Sequence, residues 1–225
     1  MATKTKPRKK QSDAADAPQV VAEPPPTPAT PPPSDWTPTE RISWFPIPAE
    51  EDLDPRVADL VARQREKLGA PNNVVRCHAW RPDLMLEWLA LFDRITRGPS
   101  GLSRAEREMI GVVVSAENRC MLCLSNHGAE LRRLTGDPVL SERICQDYRR
   151  AGLDARTRAM LDYAVKLTRT PVDCEEADIL ALKELGFSTD DVYDIIQTAA
   201  IYNYNNRVAS ASGYLPDRHY HSVFR

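Results

Sequence analysis

The segment from residue 103 to residue 117 constrains the fold more than any other part of the chain. Ser103 followed by Glu106 is a capping box, which predicts that a helix begins here. Apolar residues then cover most of the circumference of that helix: Met109, Ile110, Val112, Val113, Val114 and Ala116. A helix that is apolar nearly all round has to be covered by other elements. The segment therefore predicts a helix buried in the core.

Most of the chain after residue 48 indicates further helices, each bounded by capping signals. Predicted starts are Asp54-Pro55, Pro82, Cys120, Asp137-Pro138, Asp154, Asp173 and Ser188 with Asp191. Predicted ends are Gly69, Gly98, Gly136, Gly152 and Gly186. No segment alternates strictly between apolar and polar residues, and no hairpin dipeptide occurs. The pattern predicts an all-α fold.

Residues 1–35 differ from the rest in composition. They hold five basic residues near the start and nine prolines, several of them in runs. Such a segment buries too little apolar surface to offset its ordering entropy, so we predict a disordered Lys/Pro-rich tail. It is either a solvated extension or a tether to nucleic acid, a membrane or a proline-binding module. Residues 36–225 are predicted to form one all-α domain.

Charge and cysteine content limit the partners and the compartment. Without the tail, 25 basic residues face 28 acidic ones, so no basic excess indicates nucleic-acid binding. No apolar run reaches the length of about eighteen residues that a spanning helix needs, which argues against a membrane partner. The residues that follow the basic start are polar, which argues against a secretory signal. Five cysteines without an export signal favour a reducing, cytoplasmic location.

Four residues carry the candidate chemistry: Glu108, Cys120, Cys123 and His127. If a helix begins near Cys120, both thiols lie in its first turn, where unpaired N–H groups favour a thiolate. Cys123 and His127 are then four residues apart on one helix face. Glu108 is expected at the border of the core, where a carboxylate can exchange a proton near neutral pH. Two thiols and a base are the minimum for dithiol redox chemistry, although the spacing does not say which cysteine attacks.

A structural zinc site is the alternative interpretation of the same residues. Cys120, Cys123 and His127 could bind zinc together with one distant fourth ligand. However, the sequence has no second C-x-x-C, and the remaining cysteines are single: Cys77, Cys145 and Cys174. We therefore expect free thiols without a bound metal or cofactor, and we interpret the three single cysteines as packing residues.

Two asparagines interrupt the apolar stripe of the last helix. Asn203 and Asn206 either hold the structure together or face the thiols. A structural role is favoured, because buried amides usually satisfy backbone groups.

The spacing Glu-x(11)-Cys-x-x-Cys-x-x-x-His resembles the catalytic pattern of the alkyl hydroperoxidase D family, which shares a fold with carboxymuconolactone decarboxylase. Residues 106–120 and 201–208 resemble the peroxidase-related branch of that family. The resemblance covers about residues 45–220 and implies an AhpD-like helical bundle. One position departs from it: the best-studied members carry a second histidine between the cysteines, where this chain has Leu122.

The resemblance implies a thiol peroxidase. Cys123 would attack a small-molecule peroxide and become a sulfenic acid, and Cys120 would condense with it to a disulfide. His127 and Glu108 would assist the proton transfers, and an external dithiol or disulfide reductase would supply electrons. The resemblance also implies a homo-oligomer. Two alternatives stay open, namely a lyase like carboxymuconolactone decarboxylase and a non-enzymatic redox-responsive interaction module.

Overall fold

The computed structural model describes residues 41–225; the predicted tail and the first residues of the predicted domain lie outside this range. The α-helices are α1 (Pro55–Leu68), α2 (Asn73–His78), α3 (Pro82–Arg97), α4 (Arg104–Glu117), α5 (Met121–Thr135), α6 (Leu140–Asp147), α7 (Ala155–Arg169), α8 (Glu176–Glu184) and α9 (Thr189–Ser212). Short 3-10 helices span Glu50–Asp52, Tyr148–Arg150, Pro171–Asp173 and Arg218–His221. No strand occurs within residues 41–225, which confirms the all-α prediction.

Most helix boundaries follow the capping signals in the sequence. The Ser103 side chain accepts from the Glu106 N–H, and the Glu106 carboxylate accepts from the Ser103 N–H at 2.7 Å, which completes the predicted capping box of α4. Asp54 caps α1 by accepting a hydrogen bond from the Arg56 N–H. Gly136 ends α5 with a φ of 66°, a left-handed conformation that favours glycine.

Helix α2 was not predicted. It spans only six residues, which is too short for an apolar period to be recognised. The Asn72 side chain caps it by accepting from the Val75 N–H at 2.9 Å.

Two predicted starts were wrong by a few residues, for the same reason. The Asp137 carboxylate accepts from the N–H groups of Val139 and Leu140, so it caps a turn that precedes α6. The predicted start at Asp173 falls at the end of a 3-10 turn, and Glu175 caps α8 instead. In both places a tight turn precedes the helix and delays its start.

Helix α4 lies at the centre of the fold. It packs against α3, α5, α6, α7 and α9, and its Ile110, Val112 and Val114 are fully buried. This confirms the prediction of a buried helix. A second, smaller apolar cluster surrounds the thiols and contains Ile42, Cys77, Cys120, Leu122, Cys123, Ala209 and Tyr214. No helix among residues 41–225 has the length and hydropathy needed to cross a membrane.

Candidate active site

The turn between α4 and α5 positions the two cysteines. Arg119 adopts a left-handed conformation with a φ of 52°, and the Cys120 N–H donates to the Ser115 carbonyl at 2.9 Å. Cys120 therefore becomes the N-cap of α5, and Cys123 follows in its first turn. Both thiols lie at a helix start, where the sequence predicted them.

A cavity of about 280 Å³ opens beside this helix start. Among the described residues that line it, Cys123 is the one cysteine, and it shares the cavity with His127 and Glu108. Much of the remaining wall is apolar or aromatic and includes Val74, Trp88, Leu89, Phe92, Leu122 and Phe224. Both sulfurs are well covered, because Cys120 is 1% and Cys123 is 4% exposed. The volume accommodates an organic substrate much larger than hydrogen peroxide.

Glu108 and His127 form a hydrogen-bonded pair across α4 and α5. Nδ1 of His127 lies 2.7 Å from Oε2 of Glu108, which is 3% exposed. Since a carboxylate accepts, Nδ1 donates this hydrogen bond. The sequence predicted Glu108 at the border of the core. In the structure it lies between the core and the cavity, and its side chain lines the cavity.

Tyr202 is a third member of this group that the sequence analysis missed. Its hydroxyl lies 3.1 Å from Nδ1 of His127 and 3.4 Å from Oε2 of Glu108. The residue lies within the segment 201–208 that carried the family resemblance, but its chemical role could not be inferred from sequence spacing.

The two sulfurs titrate as a pair. The pKa of Cys120 is lowered to about 6, chiefly because the Cys123 thiol donates a hydrogen bond to the Cys120 thiolate. The same hydrogen bond, together with burial, raises the pKa of Cys123 well above its ordinary value. The reduced pair therefore holds its first negative charge on Cys120 and a proton on Cys123.

Asn206 links this pair to the central helix. Its amide nitrogen donates to Ser115 Oγ at 2.9 Å, and its amide oxygen accepts from Asn118 at 2.9 Å. The amide also faces both sulfurs and lowers the pKa of each cysteine. Asn203, by contrast, bonds Thr168 at 2.9 Å. Asn203 thus has the structural role that was favoured, whereas Asn206 combines it with contact to the thiols.

The other cysteines contribute no second thiol pair. Cys77 is buried and donates to the Ile42 carbonyl at 3.3 Å, and burial raises its pKa to about 12. Cys145 and Cys174 pack at the edge of the main core. Within residues 41–225, no group of three or more histidines, cysteines and acidic residues is arranged to hold a metal ion.

Two solved structures are similar over nearly their whole length. An uncharacterized peroxidase-related protein from Silicibacter sp. TM1040 is 40% identical with a TM-score of 0.79, and the match covers 84% of this chain and 99% of that chain. An alkylhydroperoxidase AhpD core protein, also peroxidase-related and uncharacterized, from Ralstonia eutropha JMP134 is 33% identical with a TM-score of 0.80, covering 83% and 98%. The debrominase Bmp8 shares the fold at 16% identity, with a TM-score of 0.65 over 81% of this chain and 95% of its own.

The model of the carboxymuconolactone decarboxylase family matches residues 82–138, a range that includes all four predicted site residues. No protein of curated function matches the sequence. The two peroxidase-related structures share a third or more of their residues with this chain and align along nearly all of their length. The chain therefore belongs to the AhpD-like members of the carboxymuconolactone decarboxylase family.

Proposed function

We propose that the protein is a thiol peroxidase that reduces organic hydroperoxides with the Cys120–Cys123 pair. The observation that carries this proposal is the position of Cys123. It lines a substrate-sized cavity together with His127, whose ring is fixed by Glu108, while the second thiol lies hydrogen-bonded behind it.

The raised pKa of Cys123 gives the His127–Glu108 pair its function. Because Cys123 holds its proton at neutral pH, it needs a base before it can attack. His127 accepts that proton on Nε2, and the Glu108 carboxylate stabilises the resulting imidazolium. The Cys123 sulfur attacks the terminal peroxide oxygen, the O–O bond breaks, and the leaving alkoxide takes the proton from His127 as an alcohol. Cys123 is then a sulfenic acid.

The lowered pKa of Cys120 suits the second step. A thiolate is already present beside the sulfenic acid, so Cys120 attacks the Cys123 sulfur and hydroxide leaves to be protonated as water. The pair has then given two electrons to the peroxide and forms a disulfide. An external dithiol reduces the disulfide and restores both thiols.

Peroxide turnover and thiol counting test the proposal. With cumene hydroperoxide and excess dithiothreitol, we expect wild-type protein to consume peroxide and to lose two thiols per chain after stoichiometric oxidation. Cys123→Ser should abolish consumption, and Cys120→Ser should permit one oxidation that leaves a sulfenic acid trapped by dimedone. Cys145→Ser is the matched control and should behave as wild type. Full activity in Cys123→Ser, or unchanged thiols in oxidised wild type, would overturn the mechanism.

A second candidate is reductive dehalogenation of an aromatic ring. Aromatic rings line the cavity: the His78 and Trp88 rings stack with their centroids 4.5 Å apart, and the Trp88 and Phe92 rings lie tilted with their centroids 5.8 Å apart. The fold relative Bmp8 is a debrominase whose structure is known in complex with 2,3,4-tribromopyrrole. Replacing bromine by hydrogen takes two electrons and one proton and releases bromide, which the oxidation of one cysteine pair can supply. Bromide release without peroxide consumption would favour this candidate over the first.

A further inference from the structure

Side chains from three helices meet at the cavity: Glu108 of α4 and His127 of α5 line it, and Tyr202 of α9 lies behind them. We propose that Tyr202 is a positioning residue for the other two. Its hydroxyl donates to the Glu108 carboxylate and its ring holds the imidazole, so that Nδ1 keeps its proton and Nε2 faces the cavity as the base. The value of this arrangement for catalysis rests on the proposed function, but the arrangement itself can be tested without any substrate.

The ring of Tyr202 is fixed by aromatic contacts. It meets the His127 ring edge-on, with centroids 4.6 Å apart and an angle of 87° between the planes. It meets the Phe92 ring similarly, at 5.9 Å and 85°. Tyr202 is fully buried, so its hydroxyl reaches the site from behind and its effect passes through Glu108 and His127.

A glycine in α4 makes room for this ring. A Cβ atom at Gly111 would lie 2.5 Å from Cζ of Tyr202 and 2.8 Å from both neighbouring ring carbons. Gly111 follows Glu108 by three residues, so both lie on the same face of α4. A glycine inside a helix costs about 1 kcal/mol relative to alanine, so its position under the ring has a structural purpose. The close approach of Tyr202 to α4 is what brings its hydroxyl to Glu108.

The direction of the hydrogen bond follows from the groups involved. Burial first, and the Glu108 charge second, raise the pKa of Tyr202 well above its ordinary value, so the phenol keeps its proton. The hydroxyl therefore donates to the carboxylate and takes up part of its negative charge. The hydroxyl thus fixes the carboxylate oxygen that faces Nδ1 of His127.

Other charged and titratable groups line the same cavity as His127. They are Cys123 and Glu130 on α5, Arg97 on α3, Arg104 on α4, His78 on α2 and Tyr220 near the C-terminus. A Tyr202→Phe change leaves all of them in place. A change in the tautomer of His127 then reports the lost hydroxyl.

Histidine NMR tests the proposal directly, because the chain has only four histidines. In reduced wild-type protein at neutral pH, we expect His127 to be the Nδ1–H tautomer. Tyr202→Phe should weaken the preference of His127 for the Nδ1–H tautomer, and the rate of Cys123 alkylation by iodoacetamide at neutral pH should fall with it. The matched control is Tyr148→Phe, because the Tyr148 hydroxyl also donates to a carboxylate, Asp162, at 2.6 Å, but outside the site. This control should leave the tautomer of His127 unchanged.

Two further measurements keep the test decisive if Tyr202→Phe folds poorly. The tautomer of wild-type His127 needs no variant, and an Nε2–H tautomer would overturn the proposal. Gly111→Ala should change the tautomer of His127 in the same direction as Tyr202→Phe. Gly128→Ala should not, because its new Cβ would meet no atom closer than 3.6 Å. An unchanged His127 tautomer in Tyr202→Phe would also overturn the proposal, whereas absent peroxide turnover with the expected tautomers would overturn only the proposed function.

Discussion

Asn206 donates its side-chain amide to Ser115 Oγ at 2.9 Å and thereby joins α9 to α4 beside the two thiols. Both residues are at most 1% exposed, so the hydrogen bond is shielded from water. The same amide faces the sulfurs of Cys120 and Cys123. One buried side chain therefore joins two helices and also stabilises the negative charge of the redox pair.

Asn206→Ala should raise the pKa of Cys120 and reduce stability. The pKa rises because the amide is one of the donors that favour the thiolate. Stability should fall by about 1–3 kcal/mol, since Ser115 and Asn118 lose a buried partner. The pH profile of Cys120 alkylation, followed by peptide mass spectrometry, measures the first effect, and urea unfolding measures the second.

Asn203→Ala is the matched control for that experiment. Asn203 belongs to the same amide network through Asn118 but bonds Thr168 rather than the sulfurs. We expect it to reduce stability and to leave the alkylation profile of Cys120 in place. Equal profiles for the two variants would contradict the role given to Asn206.

The reduced protein should become more stable as the pH rises from 7 to 8. The pKa of Cys120 is about 6 in the folded chain, against about 8.5 for an unfolded cysteine. Over this interval the folded state has released a Cys120 proton that the unfolded state still largely holds, so this group alone raises the free energy of unfolding by about 1 kcal/mol. The gain is complete above the unfolded pKa and is lost as the pH falls through the folded pKa.

Two checks separate this slope from other titrations. Burial lowers the pKa values of His78 and His219, so these groups act mainly below the chosen interval. The raised pKa values of Cys77, Cys123, Cys145 and Cys174 oppose the gain from Cys120, and they do so increasingly as the pH approaches the unfolded value. Cys120→Ala should remove the slope in urea unfolding with a non-thiol reductant. An equal slope in wild type and in Cys120→Ala would refute the lowered pKa.

The sequence predicted those parts of the site that depend on local geometry. A C-x-x-C and an i, i+4 histidine group Cys120, Cys123 and His127 at one helix start. Glu108 was joined to them by the family pattern, and the single turn between α4 and α5 brings its carboxylate to His127. Tyr202 and Asn206 come from α9, and only tertiary packing brings them to the same place. Spacing along one chain carries no signal for such contacts. The homo-oligomer, the cytoplasmic location and the tail stay predictions.

Glu108→Gln should slow peroxide reduction strongly at neutral pH and less at high pH. The amide still accepts from Nδ1 of His127 but no longer stabilises the imidazolium, so a loss of roughly 10²-fold is expected near pH 7. At high pH Cys123 ionises without help, and the variant approaches wild type. Stopped-flow kinetics over pH 6–10 measures the ratio of the wild-type rate to the variant rate. Glu117 lies on the same helix but pairs with Arg169, away from the thiols. The control variant Glu117→Gln should therefore show no pH-dependent loss of peroxide reduction.

Leu122→His tests whether the apolar residue between the two cysteines limits the rate of Cys123 oxidation. Leu122 is 5% exposed and lines the cavity next to Cys123, at the position where the best-studied family members carry a histidine. A histidine there could carry a proton between Cys123 and the leaving oxygen, so the rate of Cys123 oxidation at neutral pH should rise. Burying a polar ring in this cluster should also cost about 1–3 kcal/mol of stability.

Leu122→Asn separates proton transfer from polarity. Its side chain is also polar, so it should lose comparable stability, but it cannot carry a proton and should not accelerate oxidation. Single-turnover oxidation by cumene hydroperoxide measures both variants. If Leu122→His is no faster than Leu122→Asn, then the relay is not limiting, and the His127–Glu108 pair alone supplies the proton transfer that Cys123 needs.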